Sequence, residues 1–196
     1  MHALPEGTDA RAVVLVEGAS DKVALETLAR RRGRVLMAEG VVVLATGGIH
    51  AVGRFLDRFG PQGADARLAG LCDEGEESAL RRALERAGLG SGLSRAELER
   101  LGFFVCVADL EDELVRAVGP EGVETVIADE GELAAFRTFQ KQPAKRDLSR
   151  EEQLWRFMWN RKIRYAPLLV EALDLDRVPR ALDGVLAHLD ETARHG

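Results

Sequence analysis

Acidic side chains follow three of the four apolar runs in the first half of this 196-residue sequence. The first run leads into "EGASD", the third into "DEGEE" and the fourth into "DLEDE", whereas the second ends in "TGG". Carboxylates crowded together repel one another and lose solvation, and a divalent cation removes that conflict. Because no histidine or cysteine stands among them in a ligand pattern, the acids favour Mg²⁺, Mn²⁺ or Ca²⁺ over zinc. Magnesium takes phosphate oxygens as further ligands, so a phosphate-bearing substrate is expected.

Plainer explanations stay open for these residues. Acids at helix N-termini interact favourably with the helix dipole, and Asp21, Glu76 and Glu111 hold such positions. Gly47 and Gly48 form either an ordinary turn or, because a bare backbone that opens a helix binds anions, a phosphate site. The coincidence of acids at three strand ends favours the metal interpretation.

The four apolar runs predict strands that are buried on both faces, because they are nearly continuous rather than alternating. Amphipathic segments separate them, and the first predicted helix runs through Arg31 with Ser20 as its N-cap. This alternation is typical of an α/β fold with a mostly parallel four-stranded sheet flanked by helices. Sites in such sheets form at the carboxyl ends of the strands. The predicted strands are residues 12–17, 41–46, 66–72 and 103–107, and further helices are predicted at 49–59, 76–87 and after Ser94.

Beyond Val118 the sequence predicts helices only. The predicted helices span residues 123–130, 132–139, 149–160, 162–173 and 179–188. The break "QKQPAKRD" at 140–147 is the best-marked boundary by composition. The predicted elements divide the chain into a core, residues 1–119, and an all-helical C-terminal extension with a basic segment, residues 120–196.

The basic segment contrasts with the formal net charge of −6 for the whole chain. Residues 137–164 hold nine basic side chains against three acids, so the segment is locally +6 while the remainder sums to −12. Such a polarised molecule can hold a metal with one region and phosphates with another. The aromatic residues interleaved there are better explained as a helical core than as base-stacking groups, whereas the cations favour phosphate contact. The candidate nucleic-acid contacts are Gly47, Gly48, Arg137, Lys141, Lys145, Arg146, Arg161 and Arg164.

The remaining sequence signals concern the compartment. The N-terminus lacks the apolar region of a signal peptide, and no window approaches 18 uninterrupted apolar residues, so no membrane association is expected. Cys72 and Cys106 stand near the ends of apolar runs, which favours reduced, buried thiols. We therefore expect a cytoplasmic protein.

Several of these motifs together resemble a Toprim domain, the catalytic fold shared by type IA and II topoisomerases, bacterial primases and OLD-family nucleases. The resemblance covers about residues 12–118 and rests on "VLVEGASD", "VVVLATGG" and the strand that runs into an Asp-led acidic turn. Within that superfamily, "VEGASDKVALETLARRRG" and "DLEDEL" are most similar to the OLD (overcoming lysogenization defect) nucleases, whose Toprim domain follows an ABC-type ATPase domain. This sequence contains no GxxxxGK[ST] loop. The resemblance therefore implies a stand-alone Toprim protein, or one whose ATPase is a separate chain.

The resemblance also implies roles for individual residues. Glu17 would be a metal ligand or a general acid–base, and Asp21 a metal ligand. The later acidic cluster matches Asp109 and Glu111, with Asp112 as a further candidate. Lys162, in a late helix, matches a lysine that lies near the metals in OLD nucleases, although this last match is the least specific.

The third-strand motif departs from the family pattern. Its DxD sequence begins at Asp73, but Gly75 fills the second aspartate position. Either Glu74, Glu76 or Glu77 supplies the missing oxygen, or one metal site is weakened or lost. The full set of implied metal ligands is Glu17, Asp21, Asp73, Glu76, Asp109 and Glu111, and the implied catalytic residues are Glu17 and Lys162.

These inferences predict a Mg²⁺- or Mn²⁺-dependent nuclease that nicks or cleaves DNA, with RNA not excluded and Ca²⁺ as an inert substitute. Two cations about 4 Å apart would clamp the attacking water and the leaving oxygen, while Lys162 neutralises charge on the phosphate. The only tyrosine, Tyr165, lies outside the predicted core, which disfavours a covalent topoisomerase mechanism.

Two other classes of protein remain open. One is a catalytically weak module that binds nucleic acid or a separate ABC-type ATPase without cutting, which Gly75 favours. The other is a receiver-like or phosphatase-like protein that uses one aspartate and Mg²⁺, which explains the acids but not the basic segment. Oligomerisation is compatible with each of them.

Overall fold

A single parallel sheet forms the centre of the protein. The computed structural model describes residues 10–193. The strands are β1 (Ala12–Val16), β2 (Val41–Ala45), β3 (Arg67–Asp73) and β4 (Phe103–Cys106). They are hydrogen-bonded in the order β2-β1-β3-β4, and every pair is parallel. The α/β fold with a parallel four-stranded sheet is thus confirmed, and each strand ends within one residue of its predicted bounds.

Helices connect the strands and complete the fold. They are α1 (Ala19–Arg31), α2 (Val52–Phe59), α3 (Glu77–Arg86), α4 (Arg95–Arg100), α5 (Leu110–Val118), α6 (Pro120–Asp129), α7 (Leu133–Gln140), α8 (Arg150–Met158), α9 (Lys162–Ala172) and α10 (Arg180–Ala193). Short 3-10 turns precede α2, α3 and α9, at Ile49–Ala51, Glu74–Glu76 and Trp159–Arg161. None of the helices between residues 10 and 193 is long and apolar enough to cross a bilayer.

The central strand shows why the sheet must be covered on both faces. All five side chains of β1 are buried, and they alternate between two hydrophobic clusters. Val14 and Val16 pack with α1, α5, α9 and α10 on one face, whereas Val13 and Leu15 pack with α2, α3 and α4 on the other. Polar side chains therefore cannot lie within the strand and are placed where it ends.

The helices after residue 119 share a core with the sheet. Leu114 of α5, Leu169 of α9 and Leu186 of α10 are buried in the same cluster as Val14 of β1. Helix α9 packs along α1, and α10 packs on β3 and β4. The division at residue 119 stays a prediction about domains, but the extension supplies one face of the core, and this position brings its residues close to the sheet.

Tyr165 lies inside this shared core and not beyond it. The side chain is fully buried, and its hydroxyl donates a 2.6 Å hydrogen bond to Glu132. Burial, followed by this contact, raises the pKa of Tyr165. The predicted position of Tyr165 outside the core is therefore wrong, but the only tyrosine of the sequence is not exposed for nucleophilic attack. Cys72 and Cys106 are buried free thiols, as predicted.

Candidate metal centre

Acids from several segments meet at the carboxyl edge of the sheet. Glu17 directly follows β1, Asp73 is the last residue of β3, and Glu111 lies in the first turn of α5. Burial, together with the negative charges of Glu17, Asp21, Asp109 and Glu111, raises the pKa of Asp73 to about 7. Those charges act on Asp73 because the parallel strands end side by side. The structure thus brings these five predicted residues together, while their role as metal ligands stays a prediction.

The residues at the start of α1 form one side of this carboxylate cluster. The helix begins at Ala19 with Gly18 as its N-cap, so the predicted cap at Ser20 is wrong. Asp21 Oδ2 accepts a 2.8 Å hydrogen bond from the backbone N–H of Gly18, which fixes the carboxylate. Burial raises the pKa of Asp21 to about 6 against the lowering effect of this bond. Because a glycine without a side chain caps the helix, the acid in its first turn makes the capping contact instead.

Three glutamates in and after the turn that follows β3, Glu74, Glu76 and Glu77, have different neighbours. Arg95 Nε donates a 3.1 Å hydrogen bond to Glu77, which also forms an ion pair with Arg81. Arg95 additionally lies 3.3 Å from Glu74. Two of the three candidates for the missing oxygen of the DxD motif are therefore engaged by arginines.

Glu76 is the glutamate that faces the cluster. It lies beside Glu17, and its Oε2 is buried without a hydrogen-bond partner. Burial, then the contact with Glu17, raises the pKa of Glu76. A carboxylate pair with an unpartnered buried oxygen is the arrangement that a cation would stabilise.

Asp109 is held in place by two neighbouring N–H groups. It is the N-cap of α5, and its Oδ1 accepts a 2.7 Å hydrogen bond from Asp112 N. The preceding residue, Ala108, has φ of 65°, a left-handed conformation that is strained for a non-glycine residue. The indole N–H of Trp155 donates to both carboxylate oxygens, at 3.0 and 3.1 Å.

Trp155 was not predicted at this site, since the aromatic residues of the basic segment were interpreted as core. That interpretation is right for Phe136 and Phe157, which are buried and pack edge to face. The available signal was its spacing: Trp155 precedes Lys162 by seven residues, so two helical turns would place both on one face.

Lys162 completes the cluster from a position 51 residues away from its main partner in sequence. Its Nζ donates a 2.8 Å hydrogen bond to Glu111 Oε2 and lies 3.5 Å from Asp109 Oδ2. The Glu111 side chain is only 8% exposed, and its other oxygen, Oε1, is buried without a partner. Helix α9 packs on α1 and α5, and this packing places a cation at the acidic edge.

The residues at this edge fit a hard divalent cation. Their donors are carboxylate oxygens, and buried oxygens of Glu76 and Glu111 lack partners. No group of three or more ligand-type side chains is already assembled for a metal within residues 10–193. We infer that ligand side chains adjust on metal binding, which mutual repulsion between carboxylates favours in the metal-free protein.

The raised pKa values predict how pH changes the stability of the metal-free protein. A carboxyl group whose pKa is higher in the folded than in the unfolded state takes up protons on folding, so the free energy of unfolding falls as pH rises. For Asp21 and Asp73 the window lies between about 4 and 7. Asp73→Asn lacks the titrating carboxyl group, so its free energy of unfolding should fall by about 2 kcal/mol less over this window than that of the wild-type protein. This figure is smaller than the full pKa shift implies, because solvent partly screens the charges.

Thermal melts in EDTA between pH 5 and 8 measure this effect. The melting temperature of the wild-type protein should fall as pH rises across this range, and that of Asp73→Asn should fall less. Saturating Mn²⁺ should restore the wild-type protein at pH 8. Parallel curves for the two proteins in EDTA would contradict the prediction.

The glycine loop after β2 lies beside Glu17. Gly47 and Gly48 have φ of 79° and 111°, conformations that favour glycine, and a Cβ at either would meet open space. The N–H of Gly47 donates to the Glu17 carbonyl at 2.9 Å. The loop is open, but the N–H of Gly47 is already used, and phosphate binding there stays a prediction.

The arginines of the basic segment are largely paired with acids just upstream of it. Arg137 forms an ion pair with Glu124, and Arg164 Nη1 lies 2.9 Å from Glu132. Arg161 lies 3.8 Å from the same glutamate. Pairing within the protein offsets the local charge of +6 that sequence counting suggested. A paired arginine contributes less to phosphate binding than its formal charge implies.

The other predicted contacts lie at the chain reversal between α7 and α8. Lys145 Nζ lies 5.3 Å from the centre of the Phe139 ring, and Arg146 donates a 3.0 Å hydrogen bond to the Lys141 carbonyl. Lys141 and Arg146 are exposed, and both stay predicted nucleic-acid contacts.

Comparison with known proteins agrees with this architecture. Residues 10–66 match the family model "Overcoming lysogenization defect protein-like, TOPRIM domain". The fold resembles the C-terminal region of the OLD protein of Xanthomonas campestris pv. campestris, with a TM-score of 0.74, 24% identity and coverage of 96% of this chain and 99% of that one. A second structure of that region gives 0.73 and 26% identity, with the same coverage of both chains. The C-terminal region of the Burkholderia pseudomallei OLD protein gives 0.73 at 22% identity, covering 94% and 98% of the two chains. No curated protein matches the sequence significantly.

Proposed function

Because this chain carries a Toprim domain of the OLD-like type, within a fold that matches the C-terminal region of OLD proteins, we propose that it hydrolyses phosphodiester bonds of DNA with Mg²⁺ or Mn²⁺. The observation that carries the proposal is the contact of Lys162 with Glu111 and Asp109 at the acidic edge. A cation beside clustered carboxylates combines the groups that phosphoryl transfer requires.

The metal would lie among Glu17, Asp21, Asp73 and Glu76 on one side and Glu111 on the other. There it would activate water and polarise the phosphate. The unpartnered oxygens of Glu76 and Glu111 support this assignment. Asp109 is turned toward Trp155 and Lys162, so we assign it mainly to holding Lys162 in place.

The chain's own residues have distinct tasks in this reaction. Hydrolysis forms a bond from the water oxygen to phosphorus and breaks the bond to the leaving oxygen, which then takes a proton. Lys162 neutralises the negative charge that builds on the phosphate in the transition state. Glu17 binds the metal or transfers a proton. Glu76, which lies beside Glu17, supplies a further carboxylate oxygen for the metal.

A plasmid assay tests the proposal. Purified protein should convert supercoiled plasmid to nicked or linear DNA with Mg²⁺ or Mn²⁺ and not in EDTA. Glu17→Gln keeps the side-chain shape but loses the charge, and should slow nicking roughly 100- to 10,000-fold, the usual range for a lost acid–base group. Equal nicking by the variant would indicate a contaminating nuclease and refute the proposal.

A second function is favoured by one observation: Gly75 removes one acid that the family motif contains. The protein would then bind nucleic acid or a separate ABC-type ATPase without cutting. Calorimetry separates the two proposals, since the absence of Mn²⁺ binding would leave only the non-enzymatic one.

A further inference from the structure

Two large apolar side chains are exposed next to Lys162. Trp159, in the 3-10 turn before α9, is 47% exposed, and Ile163, in the first turn of α9, is 62% exposed. The Lys162 ammonium group lies 4.0 Å from the centre of the Trp159 ring. The same ammonium group contacts Glu111. The exposed indole is therefore adjacent to the proposed catalytic cation.

The two residues line an open groove of about 690 Å³. Ala19 and Ser20, the first residues of α1, also line it, and they directly follow the Glu17–Gly18 segment. Lys162 lines the groove as well and contacts Glu111, so the groove lies next to the proposed metal centre.

The size and chemistry of this surface indicate its occupant. One indole and one isoleucine are too small for a stable protein interface, which buries about 800 Å² on each partner. A half-exposed indole matches a single nucleobase, and base–aromatic stacking does not depend on the base identity. Lys162 beside the ring would meet the phosphate of that nucleotide.

We propose that Trp159 stacks on an unpaired nucleobase, so that the preferred substrate contains single-stranded nucleotides, as in a frayed end, a flap or a single strand. The inference rests on the proposed function, because the phosphate at Lys162 belongs to the same strand. Bases inside an intact duplex are stacked on both faces and reach a side chain only after unpairing. Trp155, which packs 4.5 Å from Trp159 between ring centres, supports the indole from the protein side.

Tryptophan fluorescence tests this inference without relying on cleavage. Trp155 and Trp159 are the only tryptophans in the sequence, so single replacements assign the signal. A 12-nucleotide oligothymidylate, added in Ca²⁺ and checked by gel to remain intact, should quench the wild-type protein and Trp155→Phe strongly and Trp159→Phe only weakly. A relaxed, covalently closed circular duplex, which has neither ends nor unpaired loops, should cause little quenching at the same nucleotide concentration.

Affinity provides a second measurement. Trp159→Ala should weaken oligothymidylate binding roughly 5- to 150-fold, the range for one lost base–aromatic stack, and Trp159→Phe less. Leu175→Ala, which truncates another exposed apolar side chain, is the matched control and should bind as the wild-type protein does. Melting temperatures of all variants verify folding.

The outcomes separate this inference from the proposed function. Unchanged affinity in folded Trp159→Ala, or equal binding of the closed circular duplex and the single strand, would overturn the inference even if Glu17→Gln abolishes nicking. Trp159 and Ile163 would then be assigned to a protein contact. The converse result is nicking that is traced to a contaminating nuclease while quenching still depends on Trp159. That result would support base stacking by Trp159 and refute the proposed hydrolysis.

Discussion

Lys162→Ala should slow metal-dependent plasmid nicking by roughly 100- to 1,000-fold, the usual effect of removing one group that stabilises transition-state charge. The ammonium group is the basic group that the structure shows in direct contact with the acidic edge, 2.8 Å from Glu111. No neighbouring arginine can replace it without moving, since Arg161 and Arg164 are directed to Glu132. Single-turnover rates at saturating Mn²⁺ measure the effect.

The variant should also differ from the wild-type protein in stability. Without Lys162, Glu111 remains buried with neither oxygen partnered, and leaving a buried polar group unsatisfied costs on the order of 1–3 kcal/mol. We expect the melting temperature of Lys162→Ala to fall in EDTA and to recover with Mn²⁺, whose charge substitutes for the ammonium group.

Arg100→Ala is the control for loss of one positive charge. Arg100 is a largely exposed residue on α4, paired only loosely with Glu97 at 3.6 Å. The Arg100→Ala variant should nick plasmid at the wild-type rate. If folded Lys162→Ala retained a rate within twofold of the wild type, Lys162 would be a structural partner of Glu111 and not a catalytic residue.

Glu76→Gln should weaken Mn²⁺ binding by roughly tenfold to 100-fold, a range that even outer-sphere partners of metals reach. Glu76 is the residue of the DEGEE turn whose buried oxygen lacks a partner and whose carboxyl contacts Glu17. We infer that it replaces the acid that the DxD motif lacks at Gly75. Isothermal calorimetry with Mn²⁺ measures the change directly.

The same turn supplies both a control and a rescue. Glu74→Gln alters an exposed glutamate held by Arg95 and should leave Mn²⁺ affinity unchanged. Gly75→Asp restores the motif, and a Cβ at Gly75 meets nothing within 4 Å, so the double variant Glu76→Gln/Gly75→Asp should regain most of the affinity.

Unfolding of the Glu76→Gln variant would not explain a loss of Mn²⁺ affinity, because the variant is expected to remain stable. Glu76→Gln removes a carboxylate that burial and Glu17 destabilise, so its melting temperature in EDTA should equal or exceed that of the wild-type protein. Equal losses of affinity in the Glu74 and Glu76 variants would contradict the assignment.

Local sequence patterns were sufficient for the sheet. Nearly continuous apolar runs predict doubly buried strands, and each of the four ends within one residue of its prediction, since a strand must stop where polar groups need solvent. The resemblance to OLD-like Toprim domains is likewise confirmed. The error at Ser20 arose because the N-cap was sought among residues with a polar side chain, whereas the N-cap is Gly18 and the helix begins at Ala19.

The sequence by itself determined that acids stand at the ends of parallel strands, because strand order along the chain and the direction of parallel pairing are enough to collect them at one edge. It did not determine how each acid is paired. Glu74 and Glu77 face arginines while Glu76 faces Glu17, although all three lie within four residues. Only the packing of α4 against this turn, which positions Arg95, decides between them.

The tertiary structure likewise decided the roles of the helical extension. Trp155 reaches Asp109, and Lys162 reaches Glu111, across separations of 46 and 51 residues, because α8 and α9 pack on α5. Charge counting could not show that Arg137 and Arg164 are paired with upstream glutamates. Local periodicity fixes which face of a helix is buried, whereas contacts over such distances depend on how whole helices pack, and that information is spread over the entire chain.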